Sequence, residues 1–272
     1  MFAPERHKLI LEHLRRHGAA TLRDLAALTG SSEVTTRRDL RLLEAEGRLH
    51  RRHGGAALQH DPADEPTYAA KARVAAVEKA AIADAAAELV EPGDAIVIGP
   101  GTTTRALAQR LADRSDVLVV TNSLLVAEAL MEAPDVEVHV TGGALRASIH
   151  ALVGPAAETA LSGYRTRRAF ISGNGLTAER GLTTPNPLVA SADRALAAAA
   201  REVVVLADST KIGHDAMCQT IPARDITHLI VDDGADPGEL DRLRSLGADV
   251  RVAARAAAPG GDLVGLVRPA DA

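Results

Sequence analysis

Ser32, Thr35, Arg37, Arg38 and Arg41 crowd one short stretch, placing two hydroxyls and three guanidiniums where a helix would gather them on its outer side. An arginine fork can hold guanine O6 and N7 bidentately or clamp a phosphate, and a helix start offers free N–H groups to the nucleic-acid backbone. A second basic cluster follows at Arg48, Arg51, Arg52 and His53 and runs into Gly54–Gly55. It reads as a hairpin wing that lies along a minor groove or flanking phosphates, giving affinity that depends on salt more than on sequence.

A different chemistry recurs further along. Gly101-Thr102-Thr103-Thr104 stands between a strand-like and a helix-like stretch, which brings backbone N–H groups and hydroxyls around one anion-sized space. A tight turn with a threonine cap would look the same. Thr121-Asn122-Ser123 and Gly142-Gly143 follow the next two strand-like runs, and open α/β sheets bind ligands at the carboxyl ends of their strands. Lys211, just after another such run, adds a flexible point charge at that edge, and Asp208 can hold it or bond a sugar hydroxyl. A phosphorylated ligand fits this set.

Catalytic and metal chemistry find less support. Proton transfer between sugar carbons needs a positioned base, and Asp94, Asp208 and Asp232 are the carboxylates near strand ends. Among His7, His13 and His17 only the last two have helical i, i+4 spacing, and no carboxylate or Cys at a suitable offset completes a metal site. No cofactor or metal is expected. Cys218 is the only cysteine, so no internal disulfide can form and a reducing cytoplasm is the simplest setting.

These residues must be positioned by two kinds of element. Leu9, Ile10 and Leu14 make a helical stripe over residues 5–17, ended by Gly18. Thr21 caps a second helix with Leu22, Leu25, Ala26 and Leu28 inside and Gly30 as its stop. Ser32 caps a third, ending at Gly47, whose Thr36, Leu40 and Leu43 share an inner face and whose Val34, Thr35 and arginines share the outer one. Beyond residue 70, AIVIG, VLVVTN, VEVHVTGG, RRAFISG, VVVLADS, HLIVDD and ADVRVA alternate with helix-like stretches, the pattern of a mainly parallel sheet covered by helices. In AAIADAAAELV, Asp84 and Glu88 give one polar face, which makes it an amphipathic helix and not a membrane span.

The boundaries follow from composition. Residues 1–58 hold 11 Lys+Arg against 7 Asp+Glu, a basic head on a chain whose totals are 31 and 36. QHDPADEPTYAA, residues 59–70, reads as a linker, 71–254 as the second domain, and 255–272 as a loosely held tail. With no Trp, two Tyr and two Phe, the cores are aliphatic, and aromatic platforms for single-stranded nucleic acid are not expected. The N-terminal sequence carries charge where a signal peptide needs an apolar core, and no apolar run approaches a membrane span.

TTRRDLRLLEAEGRLHRRHGGA resembles the N-terminal signature of the DeoR family of bacterial transcriptional regulators, and the resemblance extends over roughly residues 5–252. It implies an α/β protein: a winged helix-turn-helix followed by a mainly parallel sensor domain whose fold resembles ribose-phosphate isomerases and CoA transferases. It further implies a homo-oligomer that binds double-stranded operator DNA, more often as a repressor, under the control of a phosphorylated sugar. GTTT, TNS, GG and DSTK match stretches that line the effector pocket in that family.

The chain also departs from the pattern. Before GTTT the family usually has Asp and a small residue, where this chain has Gly99-Pro100; after GLTTPN it has Glu-Ala and then Lys-Arg, where this chain has Val189-Ala190 and Asp193-Arg194. A carboxylate and an ammonium are lost and one local charge is reversed, which alters ligand selectivity if those groups face the effector. Otherwise LVASADRALAAAA is simply an amphipathic helix that has drifted. Two rival readings stand beside the regulator: an isomerase-like enzyme, which predicts turnover, and a ligand-independent DNA-binding protein, which predicts indifference to metabolites.

Overall fold

A computed structural model describes residues 2–17, 19–46, 48–52, 54–58 and 66–254. The N-terminal unit runs α1 (Ala3–His17), β1 (Ala19–Thr21), α2 (Leu22–Thr29), α3 (Glu33–Ala45), β2 (Leu49–Arg52) and β3 (Gly55–Leu58). The expected caps are present: the Thr21 hydroxyl accepts the Asp24 N–H at 3.1 Å, and the Ser32 hydroxyl accepts the Thr35 N–H at 3.2 Å. Gly30 ends α2 in the left-handed region at φ +59°. Ile10, Leu14, Leu25, Leu40, Leu43 and Leu49 form the shared core.

Three details differ from expectation, the first being that Leu11 and not the half-buried Leu9 joins Ile10 and Leu14 in the core. The buried face of α2 is Leu22, Leu25, Ala26 and Thr29, at i, i+3, i+4 and i+7, so Leu28 turns outward and is 39% exposed. The Thr29 hydroxyl is satisfied by the Leu25 carbonyl at 2.8 Å. The wing also gains a third strand, β1, giving the order β1-β3-β2. Gly54 makes the turn at φ +83°, whereas Gly55 belongs to β3, where a Cβ would stand 2.2 Å from the Ala20 carbonyl oxygen. Gly18, Gly47, His53, residues 59–65 of the expected linker and the expected tail at 255–272 lie outside the described residues.

The second unit starts earlier than composition suggests, because Thr67 caps α4 (Tyr68–Arg73) within the stretch read as linker. There follow α5 (Ala76–Ala87), β4 (Ala95–Ile98), α6 (Thr102–Leu111), β5 (Val117–Thr121), α7 (Leu124–Leu130), β6 (Val136–Val140), β7 (Ala144–Arg146), β8 (Ala151–Val153) and α8 (Pro155–Leu161). The chain continues with β9 (Thr166–Ile171), β10 (Gly175–Thr177), β11 (Gly181–Thr184), α9 (Pro187–Ala198), β12 (Ala200–Ala207), β13 (Cys218–Ile221), β14 (His228–Asp232), α10 (Pro237–Ser245) and β15 (Asp249–Ala253). The seven apolar runs singled out in the sequence become one seven-stranded sheet, β15-β14-β12-β9-β4-β5-β6, in which every neighbouring pair is parallel.

Strand residues alternate between two cores, as a pleated strand requires. In β12, Val203, Val205 and Ala207 face α8, α9 and α10, while Val204 and Leu206 face α5, α6 and α7. Both faces of the sheet are therefore covered, which is why these strands read as nearly continuous apolar runs. Strand order reverses at β4: β5 and β6 lie on one side of it, β9 and its successors on the other. That switch point opens a crevice beyond the carboxyl ends of β4 and β9, the place where sheets of this kind hold ligands. Among the described residues no helix is long and apolar enough to cross a membrane.

Candidate functional site

Helix α3 divides its residues as the sequence pattern requires. Thr36, Asp39, Leu40 and Leu43 are buried, while Arg37, Arg38 and Arg41 are exposed and Val34 is 73% exposed. None of the three arginines is in an ion pair among the described residues. The Ser32 and Thr35 hydroxyls lie 3.0 Å apart at the start of the helix. Arg51 is held differently: its Nε donates to the Glu44 carboxylate, which also accepts the Arg51 backbone N–H at 3.0 Å, tying the wing to α3. Arg52 sits in β2 opposite Gly55.

Sequence reasoning overlooked Asp39. It is 3% exposed, accepts Arg6 Nε at 2.7 Å and Nη2 at 3.0 Å, and has His7 Nε2 at 3.1 Å. Burial works against its charge, but the hydrogen bonds and charges of Arg6 and His7 outweigh it and hold the carboxyl below its ordinary range. The available signal was an acid in the middle of the apolar stripe of α3, which demands a partner when buried.

The second site is the crevice at the switch point. Gly101, at φ +154°, turns the chain from β4 into α6, and no side chain caps that helix. Its first N–H groups thus face the crevice mouth without an intrahelical partner. A Cβ on Gly101 would lie 3.1 Å from Thr104 Oγ1 and 3.4 Å from Ser172 Cβ, so the close pass of the β4 and β9 loops needs glycine. Gly101, Thr102 and Lys211 line the cleft, together with residues not anticipated from sequence: Tyr68 and Lys71 of α4, and Ser172, Gly173 and Asn174 after β9. Lys211 Nζ donates to the Gly173 carbonyl at 2.8 Å, and Lys71 Nζ to Asn174 Oδ1 at 3.3 Å.

The remaining expected residues stand behind the cleft or away from it. Thr103 is fully buried, with its Oγ1 lacking a hydrogen-bond partner, and the Thr104 hydroxyl donates to the Gly101 carbonyl at 3.2 Å. Thr121 donates to Ile98 O at 2.6 Å, Asn122 Nδ2 to Leu152 O at 2.9 Å, and Ser123 caps α7. These three are buried and brace the loops. Gly142 and Gly143, at φ +73° and +115°, do not line the cleft; a Cβ on Gly143 would lie 2.8 Å from Val153 O, so Gly143 lets the chain after β6 pass close to β8, whereas Gly142 faces open space.

Asp208 is fully buried beneath the cleft, with Oδ2 3.8 Å from Lys79 Nζ and 3.9 Å from Lys211 Nζ. Burial, with Lys211 nearby, pulls the Lys79 pKa down to about 8 against the opposing pull of Asp208. Lys79 Nζ also donates to Lys71 O and Val74 O, both at 2.6 Å, so one ammonium fixes the end of α4 and neutralises the carboxylate under the site. Replacing Lys79 by Met removes both ties, but Asp208 keeps Lys211 and the N–H of Thr210. The expected cost is about 2 kcal/mol, below the usual range for a broken buried pair. Urea unfolding of the full chain measures it, and an unchanged midpoint would contradict the role given to Lys79.

Of the positions that depart from the family pattern, Pro100, Val189 and Asp193 reach the cleft, one from each pair. Val189 joins Ile149, Ala151, Val153 and Ala192 in a small apolar cluster. Asp193, one turn further along α9, is 2% exposed, and its Oδ1 has no hydrogen-bond partner. Burial pushes its pKa up to about 7, with Lys71 and then Arg194 pulling the other way.

Residues 6–61 match the DeoR-like helix-turn-helix domain and residues 74–233 the DeoR C terminal sensor domain. The chain is 37% identical to the uncharacterized HTH-type transcriptional regulator FruR of Bacillus subtilis, over 78% of this chain and 84% of that one. It is 35% identical to the HTH-type transcriptional regulator GlpR of Haloferax volcanii, over 92% of this chain and 98% of that one. With the HTH-type transcriptional repressor GlcR of B. subtilis it shares 31%, over 85% and 89%.

Proposed function

The chain belongs to the DeoR family of transcriptional regulators, and from that premise we propose that it represses genes of sugar metabolism under the control of a phosphorylated sugar bound in the cleft. It is a DNA-binding regulator and not an enzyme, in keeping with the names its relatives carry. In this reading Arg37, Arg38 and Arg41 meet the major groove and its phosphates, with Ser32 and Thr35 at the helix start, while Arg51, Arg52 and His53 of the wing follow the adjoining backbone. The protein acts in the cytoplasm as a homo-oligomer whose paired winged units bind repeated or inverted half-sites. The effector favours one arrangement of those units, and a tenfold change in DNA affinity needs only about 1.4 kcal/mol of such coupling.

The observation that carries the effector reading is the meeting of three anion-friendly features at one switch point. The uncapped start of α6 at Gly101–Thr102, the Lys211 ammonium and the Lys71 ammonium all border the same cleft. A phosphate takes up such donors and charges together. Thr103, with its buried unpartnered hydroxyl, and the buried Thr104, Thr121, Asn122, Ser123 and Asp208 support the loops around it, while Gly142–Gly143 turn the chain after β6, Gly143 against β8.

Fluorescence anisotropy on labelled DNA from upstream of the protein's own gene, titrated with sugar phosphates at fixed salt, tests both halves. Arg37→Ala or Arg38→Ala is expected to weaken DNA binding by roughly tenfold or more, the loss of about 1–3 kcal/mol typical of a base or phosphate contact, with ligand binding intact. Lys211→Ala or Lys71→Ala is expected to do the reverse, keeping DNA affinity but losing the response to ligand. If neither pair of variants changes anything, the site assignment fails. If DNA binds tightly and no metabolite matters, the effector half alone falls.

A further inference from the structure

Asp193 is the unexplained group in the cleft. It lines the cavity, is 2% exposed, and carries an oxygen without a hydrogen-bond partner; Asp208 Oδ2 also lacks one, but it stands between the Lys79 and Lys211 ammoniums at 3.8 and 3.9 Å. Asp39 has Arg6, Asp232 accepts the Ser209 and Gly234 N–H groups, and Glu239 accepts the Ala178 N–H. A buried carboxyl left short of a donor is costly, so such a vacancy beside a cavity marks a place for a ligand group.

The surroundings say what kind of donor. Val189, one turn earlier on α9, and Ile149 are apolar parts of the same lining, and no donor among the described residues reaches Asp193 Oδ1. The rest of the cleft is cationic through Lys71 and Lys211. The site thus offers positive groups for an anion and, near Lys71 and Arg194, one buried carboxylate whose Oδ1 has no donor. We propose that Asp193 is a specificity-determining residue and that the effector is a phosphorylated amino sugar, whose phosphate meets the cationic side and whose free ammonium meets the Asp193 carboxylate. A hydroxyl would fill the same place, but a hydrogen bond between two charged groups is roughly twice as strong as a neutral one and also cancels the buried charge. This inference rests on the phosphorylated-sugar reading above and narrows it.

Isothermal titration calorimetry of the full chain tests it with matched pairs, glucosamine 6-phosphate against glucose 6-phosphate and galactosamine 6-phosphate against galactose 6-phosphate. In at least one pair the amino compound is expected to bind ten times more tightly or better. In Asp193→Asn, which keeps the shape of the side chain, the preference should fall to threefold or less; in Asp193→Lys it should invert. Equal binding of both members, or a preference that survives in Asp193→Asn, overturns the proposal while leaving the phosphorylated-sugar reading in place. Failure of all four compounds to bind, with DNA binding intact, also overturns the proposal, and the phosphorylated-sugar reading then stands or falls on the titration with other sugar phosphates.

Discussion

Asp39→Ala is expected to cost the DNA-binding unit about 2 kcal/mol and to lower DNA affinity at least tenfold, although Asp39 faces away from the exposed arginines of α3. The carboxylate joins two elements that meet nowhere near each other in sequence: α3 carries it, and α1 supplies Arg6 through a two-pronged bond at 2.7 and 3.0 Å together with His7 at 3.1 Å. Such a fork fixes direction as well as distance, so it sets how α3 is presented. The unit around it is small, and domains of that size bury proportionally little surface and stand only a few kcal/mol from unfolding. Loss of Asp39 therefore consumes a large fraction of the margin. Hydrogen exchange of α1 and α3 in the full chain should show lost protection, and anisotropy on operator DNA the lost affinity. Wild-type exchange and affinity in Asp39→Ala would show that the core of Ile10, Leu14, Leu25, Leu40 and Leu43 fixes α3 by itself.

Much of this architecture is written locally. The caps Thr21 and Ser32, the stop at Gly30 and the seven apolar runs each act through their own neighbours, so a linear reading finds them. The row of arginines on α3 is legible for the same reason, since helical spacing alone assigns it a face. The cleft is only half legible. Gly101, Thr102 and Lys211 follow strands whose carboxyl ends are obvious candidates, but which of several such ends form the crevice depends on strand order. The crossover that puts β9 beside β4 selects Ser172–Asn174 and leaves Gly142–Gly143 at the edge strand, and no residue type announces that choice. Tyr68 falls in the stretch whose prolines and acids suggest a linker, and Lys71 stands just beyond it with no motif of its own. The short strands β7, β8, β10, β11 and β13 have few residues and no long alternating pattern, so nothing local distinguishes them from loops.

The largest stability effect is expected from pH, and it runs in opposite directions in the two units. Asp193 has its pKa pushed up to about 7 by burial, whereas an unfolded aspartate titrates near about 3.9. Between about pH 4 and pH 7 the folded chain therefore holds a proton on Asp193 that the unfolded chain has released, and stability falls as pH rises through that window. Integrated over roughly three units, the fall attributable to this one group is on the order of 4 kcal/mol. Asp39 works the other way: its pKa is held below the ordinary value, so its contribution is complete above the unfolded pKa and is lost as pH drops through the folded one. Urea unfolding between pH 5 and pH 8, followed by hydrogen exchange to separate the units, should show α9 and its sheet weakening with rising pH while α1 and α3 do not. Asp193→Asn should abolish the weakening and leave the protein more stable than the parent at pH 8. If the parent and Asp193→Asn follow the same pH profile, Asp193 is not the buried acid that the geometry makes it, and the case for a cationic partner in the cleft fails with it. If they differ as expected, a ligand ammonium that binds the ionised form should restore stability most where the parent is weakest, at the alkaline end of the window.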